Sequence, residues 1–293
     1  GSLRLTGNIR AVAAAGSHVY AACGEAGLHI VNVSQPDTPA LVQSFNSSGV
    51  AMDVAVTGST LVLADGPQGL RFINIANPAV PALVGTLPTT GPAVALRISG
   101  STAWVLDGFE GVLAVNMANP AAPTVLGRSE ILPNGRALAL LGQNVLLLDE
   151  QARLVVVNGA TPSQPAVLAR LQLPAPATTL AASGSQTYAG AGAAGVLVLN
   201  LANPAAPTVA TTLDTAGTAA GMAINASTAY VADGLSGVQV LSLANPLAPV
   251  LLFTHVTGLR ARDTALVGDL AVVAAGEQGV QVYSLTNPAA PAL

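Results

Sequence analysis

Lysine is absent from this 293-residue chain, and ten arginines supply its positive side-chain charge. Against fourteen acids they leave a net charge of −4, with no basic run anywhere. That balance argues against a nucleic-acid partner, since phosphate neutralisation needs clustered cations. Cysteine occurs once, at Cys23, which excludes an internal disulfide. Charged residues make up 8% of the chain and apolar ones 51%, too apolar a balance for disorder. Long apolar runs are missing as well. No stretch of roughly 18 residues escapes Gly, Pro, Asn or Asp, so neither a spanning helix nor membrane insertion is expected. No signal-peptide, transit or lipidation pattern occurs near Gly1. What remains is a chain of short apolar runs. So high an apolar fraction in such runs requires sheets buried on both faces.

Proline supplies the register. Asn77-Pro78-Ala79-Val80-Pro81 recurs as NPAAP at 119–123, 203–207 and 287–291 and as NPLAP at 245–249, with looser copies at 35–39 and 161–165. The first proline falls at 36, 78, 120, 162, 204, 246 and 288, a step of 42 residues without insertion or deletion. An unbroken period of this length indicates one closed or stacked array over residues 1–293.

Each unit contains four strand patterns. The first is clearest as Met52–Val56, alternating with period two. A tight turn, usually Gly-Ser, leads to a second strand such as Thr60–Ala64, whose centre holds Tyr20, Trp104, Tyr188 or Tyr230 in other copies. These rings are expected in the core. An Asp-Gly turn follows at 65–66, 107–108 and 233–234, where Asp can bond nearby backbone and Gly supplies positive φ. A second glycine closes that turn in six units; Arg153 replaces it in the fourth, predicting a different loop there and a pairing with Asp149 or Glu150. The third strand, such as Leu70–Ile75, carries Asn or Ser near its end, suited to the proline turn. The fourth is expected to be shorter and decorated by Thr or Arg, as an edge strand.

Four antiparallel strands in about 40 residues describe a β-propeller blade, and seven such units predict an all-β, seven-bladed β-propeller. A β-solenoid is the alternative, but solenoids end in atypical capping units. The first and last units here are as regular as the rest, which favours a ring closed by the two termini. The outer strand of the last blade is then shared by residues 1–5 and 290–293, and Gly1 and Leu293 are expected side by side.

The strand-three segments LHIVNV and LRFINI, followed by the proline turn, resemble the LVIVD-repeat family, as does VAVTGSTLVLADGPQGLRFINIANP at 54–78. One departure is systematic: the final Asp of the pentapeptide is Asn or Ser in every copy here. The resemblance implies a propeller, usually of secreted or surface-attached bacterial or archaeal proteins, and hence an extracellular or cell-surface setting. It carries no catalytic residues.

Loops between strands two and three, and those joining blades, should emerge at one end of the ring, and the proline turns at the other. Twelve of the fourteen acids sort to the first end. This predicts a charged working face for a protein partner or, alternatively, a glycan. No nucleophile elbow or phosphate loop is present, so no catalytic residue, cofactor or metal ligand is assigned. An enzyme, such as a metal-dependent hydrolase at the channel mouth, is the contrasting reading. The candidate partner site draws on closure: Arg262, Asp263, Arg10 and Asp53 belong to blades seven, one and two and should gather on one side of the channel mouth, with His255 and Arg260 in the loop above. Its structural alternative is a pair of Arg–Asp salt bridges among those residues.

Overall fold

The structure, a computed structural model, describes residues 1–129, 134–225, 227–256 and 260–287, apart from the side chain of Glu277. Among the described residues the chain forms seven four-stranded antiparallel sheets and a single 3-10 turn, Gly276–Gln278. In six sheets the strands run consecutively outward from the channel: blade one holds Ala11–Ala15, His18–Ala22, Leu28–Asn32 and Ala40–Phe45. The seventh holds Asp263–Val267, Leu270–Ala274 and Val280–Ser284, and its outer strand is Ser2–Leu3 from the other end of the chain.

That exchange closes the ring. Ser2 pairs with Gln281 and Leu3 with Val280, while Gly1 and Val282 exchange both backbone hydrogen bonds at 3.1 and 2.8 Å. The inner strand Ala11–Ala15 accordingly packs on both Asp53–Thr57 and Asp263–Val267. Residues 290–293, and with them the expected C-terminal share of this outer strand and the expected approach of Gly1 to Leu293, lie outside the described residues.

Burial follows from blade stacking. The second and third strands have a blade on either side, so stretches such as Leu61–Ala64 and Val155–Val157 are buried on both faces. Each of seven apolar clusters joins one blade to the next. A recurrent contact runs from the centre of strand two to the residue at or just past the end of strand three in the following blade. Tyr20 shares a cluster with Ile75, Leu146 with Leu201, Tyr230 with Leu285 and, across the closure, Val272 with Val33. At blades three and four the volumes are redistributed: Trp104 faces Gly159, where an added Cβ would stand 2.7 Å from the ring. The expected core placement of Tyr20, Trp104, Tyr188 and Tyr230 is borne out, since none is more than 4% exposed.

The proline turns obey the sequence. Asn74, Asn116, Asn158 and Asn200 each accept the backbone N–H two residues on. The outer strands do not. In blades one to six they are no shorter than the others, at five to seven residues, and they expose Leu41, Leu83, Leu126, Leu168, Leu251 and Leu252; only the Ser2–Leu3 strand of blade seven is short. A register shift falls at the same point of the third–fourth strand pairing in six blades, as at Ile30/Val31 and Val240/Leu241. Such a bulge increases twist along the edge and disturbs its ladder.

Blade four departs as its sequence implies. In the other six blades the closing glycine has positive φ, for example Gly69 at 74°, where a side chain would run into the Leu87 carbonyl. Arg153 avoids that conformation, and Ala152 takes the left-handed one instead, at φ 57°. The loop is held by Asp149, whose carboxylate accepts Gln151 N–H and Arg153 N–H, both at 2.9 Å, and Arg153 Nε–H at 2.7 Å.

Candidate functional site

The end of the ring that collects the two–three loops is less charged than its sequence suggests. Asp65, Asp107, Asp149 and Asp233 are all buried. A carboxylate accepts several bonds at once, and here each one ties a turn to neighbouring chain. Asp65 accepts from Ser47 Oγ at 2.5 Å and Arg71 Nε at 3.1 Å. Asp233 accepts from Thr215 Oγ1 at 2.8 Å and Gln239 Nε2 at 3.2 Å. Asp107 accepts the backbone N–H groups of Gly91, Phe109 and Glu110. Burial pushes Asp65 and Asp233 above the usual carboxylate range in spite of these donors. These acids are fasteners of the loop layer and not a recognition surface. Side chains that do reach solvent there include Phe109, 64% exposed, and Leu235, 75% exposed.

The channel mouth is a small cavity of about 130 Å³. Four arginines line it, Arg10, Arg97, Arg136 and Arg262, together with Asp53 and Asp263. Ring closure thus brings Arg10, Asp53, Arg262 and Asp263 to one mouth. His255 and Arg260 are not part of its lining. His255 was expected in the loop above but ends the outer strand Val250–His255, with its ring edge-on to Tyr283 at 4.9 Å. Position explains this: the last residue of a blade's outer strand lies at the perimeter, far along the sheet from its inner strand.

The two aspartates perform one structural task twice. Asp53 Oδ2 accepts Leu96 N–H at 2.9 Å, and Asp263 Oδ2 accepts Val12 N–H at 3.1 Å. In each case the acid at the start of one inner strand caps an amide of the next blade's inner strand. A buried N–H needs such an acceptor. The ion pair at the mouth is therefore not one of those expected: Asp53 pairs with Arg97 at 2.8 Å. Sequence reasoning passed over Arg97, although the signal was there. The same register position is Ala13, Ala55, Ala139, Ala181, Ala223 and Ala265 in the other six blades. Arg97 also donates to the Leu96 carbonyl and helps line a second channel cavity of about 310 Å³, otherwise walled by residues such as Ala181, Met222 and Ala223. Arg136 pairs with Glu150 at 3.3 Å. Arg10 and Arg262 are exposed and have no ion-pair partner among the described residues.

Asp263 makes the mouth sensitive to pH. Burial pushes its carboxyl up to about 7; the Val12 N–H opposes this, and the charge of Asp53 adds to it. The folded protein therefore holds this proton more tightly than the unfolded chain, whose aspartates titrate near 4. The resulting stabilisation is complete below that value and is lost as pH rises through about 7. Asp263→Asn mimics the protonated acid and keeps an acceptor for Val12. The variant should lose part of the decline in melting temperature that the parent shows between about pH 5 and pH 8. Parallel melting curves for the two proteins across that range would contradict it.

Among the described residues no three His, Cys, Asp or Glu side chains gather as a metal site. Cys23 is buried and its thiol is pushed up to about 12 by desolvation, so it is an unreactive core residue. No helix of the structure is long and apolar enough to cross a membrane.

The architecture defines a seven-bladed β-propeller closed by its own N-terminal strand. Residues 6–47 and 48–89 each match the model of the LVIVD repeat, so two of the seven units carry that repeat, consistent with an LVIVD-repeat propeller. Solved structures agree on the fold. The β-propeller domain of Cps50 (Swd1) from Myceliophteria thermophila aligns over 98% of both chains at 11% identity and a TM-score of 0.75. A chain of the Mitotic Checkpoint Complex aligns over 97% of this chain and 93% of its own, at 12% identity and a TM-score of 0.77. The computationally designed Ika8 protein aligns over 97% and 98%, at 13% identity and a TM-score of 0.71. A search of curated proteins finds no match.

Proposed function

We propose that this propeller is a non-enzymatic binding module that captures an acidic group of a protein partner at the mouth of its channel. The observation that carries the reading is the state of the mouth's charges. Asp53 and Asp263 are engaged by backbone amides, and Asp53 also by Arg97, while Arg10 and Arg262 stand exposed without an acid partner among the described residues. Guanidinium groups so placed suit a carboxylate, which they bind through two parallel N–H donors. Phe109 and Leu235, exposed on the loops of blades three and six, add apolar contact area of the kind that anchors protein interfaces. A rigid ring presenting variable loops suits this use. The proposed setting is extracellular or at the cell surface, as the family resemblance implies.

The test is capture from secreted and surface extracts, comparing the parent chain with Arg10→Ala/Arg262→Ala. The double variant should lose the parent's partner and melt at nearly the same temperature, because neither side chain is tied into the fold. Retained capture, or a loss of stability of several kcal/mol such as follows removal of one member of a buried pair, would make the cluster structural.

A further inference from the structure

A separate cavity of about 190 Å³ opens between blades three and four, at the end of the ring that carries the proline turns. Trp104, Gly159, Gln143, Ser99, Thr102 and Leu140 line it. Three of these depart from the repeat together. Gly159 stands where the other blades have Val33, Ile75, Met117, Leu201, Leu243 and Leu285. Gln143 stands where five other blades have Ser17, Ser59, Ser101, Ser185 and Ser227 and blade seven has Asp269. Trp104 is the only tryptophan of the chain. In an array whose period never slips, three substitutions meeting at one cavity mark a local specialisation and not a drift of the whole repeat.

The polar groups point the same way. Tyr188, at the register position of Trp104, donates its hydroxyl to the Pro246 carbonyl at 3.0 Å. The Trp104 indole N–H donates to no acceptor among the described residues. Nor is it one of the buried side-chain atoms left without a partner, which are Asn8 Oδ1, Thr187 Oγ1, Tyr230 Oη and Thr264 Oγ1. It therefore stays within reach of solvent in a side chain only 4% exposed. No charged side chain lines the cavity.

We propose that this cavity is a binding site for a neutral six-membered-ring compound bearing an acceptor oxygen. The indole N–H donates to that oxygen, Gln143, Ser99 and Thr102 supply further polar contacts, and Leu140 with the indole forms the apolar wall. The size agrees, since an engineered cavity of about 150 Å³ takes up benzene. Both a substituted aromatic ring and a pyranose offer this chemistry, and separate titrations distinguish them.

With one tryptophan in the chain, its emission reports on this site alone. Benzyl alcohol and methyl β-glucoside are each titrated into the intact protein, to about 50 mM, which covers millimolar affinity. At least one should shift or quench the emission saturably. Ser99→Phe and, independently, Ala160→Phe fill the cavity from exposed positions and should abolish the saturable change while leaving melting unaltered. Gln143→Ala should weaken it about tenfold. Arg10→Ala/Arg262→Ala, at the opposite end of the ring, should leave it intact. No saturable change with either probe, or a change that survives both filling variants, would overturn the proposal.

Discussion

Removal of residues 1–5 should cost several kcal/mol of stability and concentrate the damage in blade seven. The reason is that this short segment does two things at once. Ser2–Leu3 is the outer strand of the last sheet, and Gly1 exchanges a pair of backbone hydrogen bonds with Val282. Leu5, only 5% exposed, belongs to the cluster that joins blade seven to blade one, with Ile9, Val12, Val31 and Val272. Loss of a buried leucine side chain alone costs about 2–5 kcal/mol. The hydrogen bonds add roughly 0.5–1.5 kcal/mol each. Local unfolding draws on the least stable unit, so amide exchange in Val280–Ser284 should speed up well before that in Gly111–Asn116 of blade three. Equal acceleration in the two strands would mean that the ring fails as a whole and that the closure carries no special share.

The second large effect is expected at the junction of blades three and four. Gly159→Leu restores the residue found in blades five and six, Leu201 and Leu243, yet it should destabilise the protein. An added Cβ already stands 2.7 Å from Trp104 Cζ2 and 2.9 Å from the Gln143 carbonyl, before the rest of the leucine is counted. Overpacking of this kind costs about 1–3 kcal/mol, occasionally more. Trp104→Leu alone should also destabilise, by leaving a void in the cluster of Leu138, Val145 and Val155. The double substitution reproduces the Leu146–Leu201 contact of the neighbouring junction and should recover most of both losses. A double-mutant cycle by denaturant unfolding measures the coupling. Additive losses would show that the two residues do not exchange volume.

Most of the fold was legible because the information is periodic and local. Alternating apolar residues, Asn before the proline turns and glycine at forced positive φ describe a blade without reference to its neighbours. Even the altered loop at Arg153 could be read from one position, since a non-glycine residue resists the conformation that Gly69 adopts. The outer strands misled for a related reason. An edge strand is usually blunted by charge or brevity, but here the bulge does part of that work, and leucines such as Leu251 and Leu252 remain exposed.

The candidate site was legible only in part. Its members in blades seven, one and two follow from the count of repeats plus closure, and Arg10, Asp53, Arg262 and Asp263 do line one mouth. How their charges are spent did not follow. The sequence sorted acids by the end of the ring they occupy, whereas Asp65, Asp107 and Asp233 are folded inward to fasten turns. It paired Asp53 with the arginines nearest in register, whereas Arg97 reaches it from one strand further round the ring.

The sequence by itself determined the blade, the number of blades and the segment that closes the last one, because strand patterns and a fixed 42-residue step depend on neighbours along the chain. The tertiary structure alone decided which carboxylates are used up. Asp53 and Asp263 each cap an amide that lies 43 residues on or across the closure, at Leu96 and Val12. Hydrogen-bond partners are set by distances between blades, which the period brings about but does not spell out. Those distances leave Arg10 and Arg262 exposed at the mouth, and they let the Trp104 ring fill the space where one blade lacks a side chain.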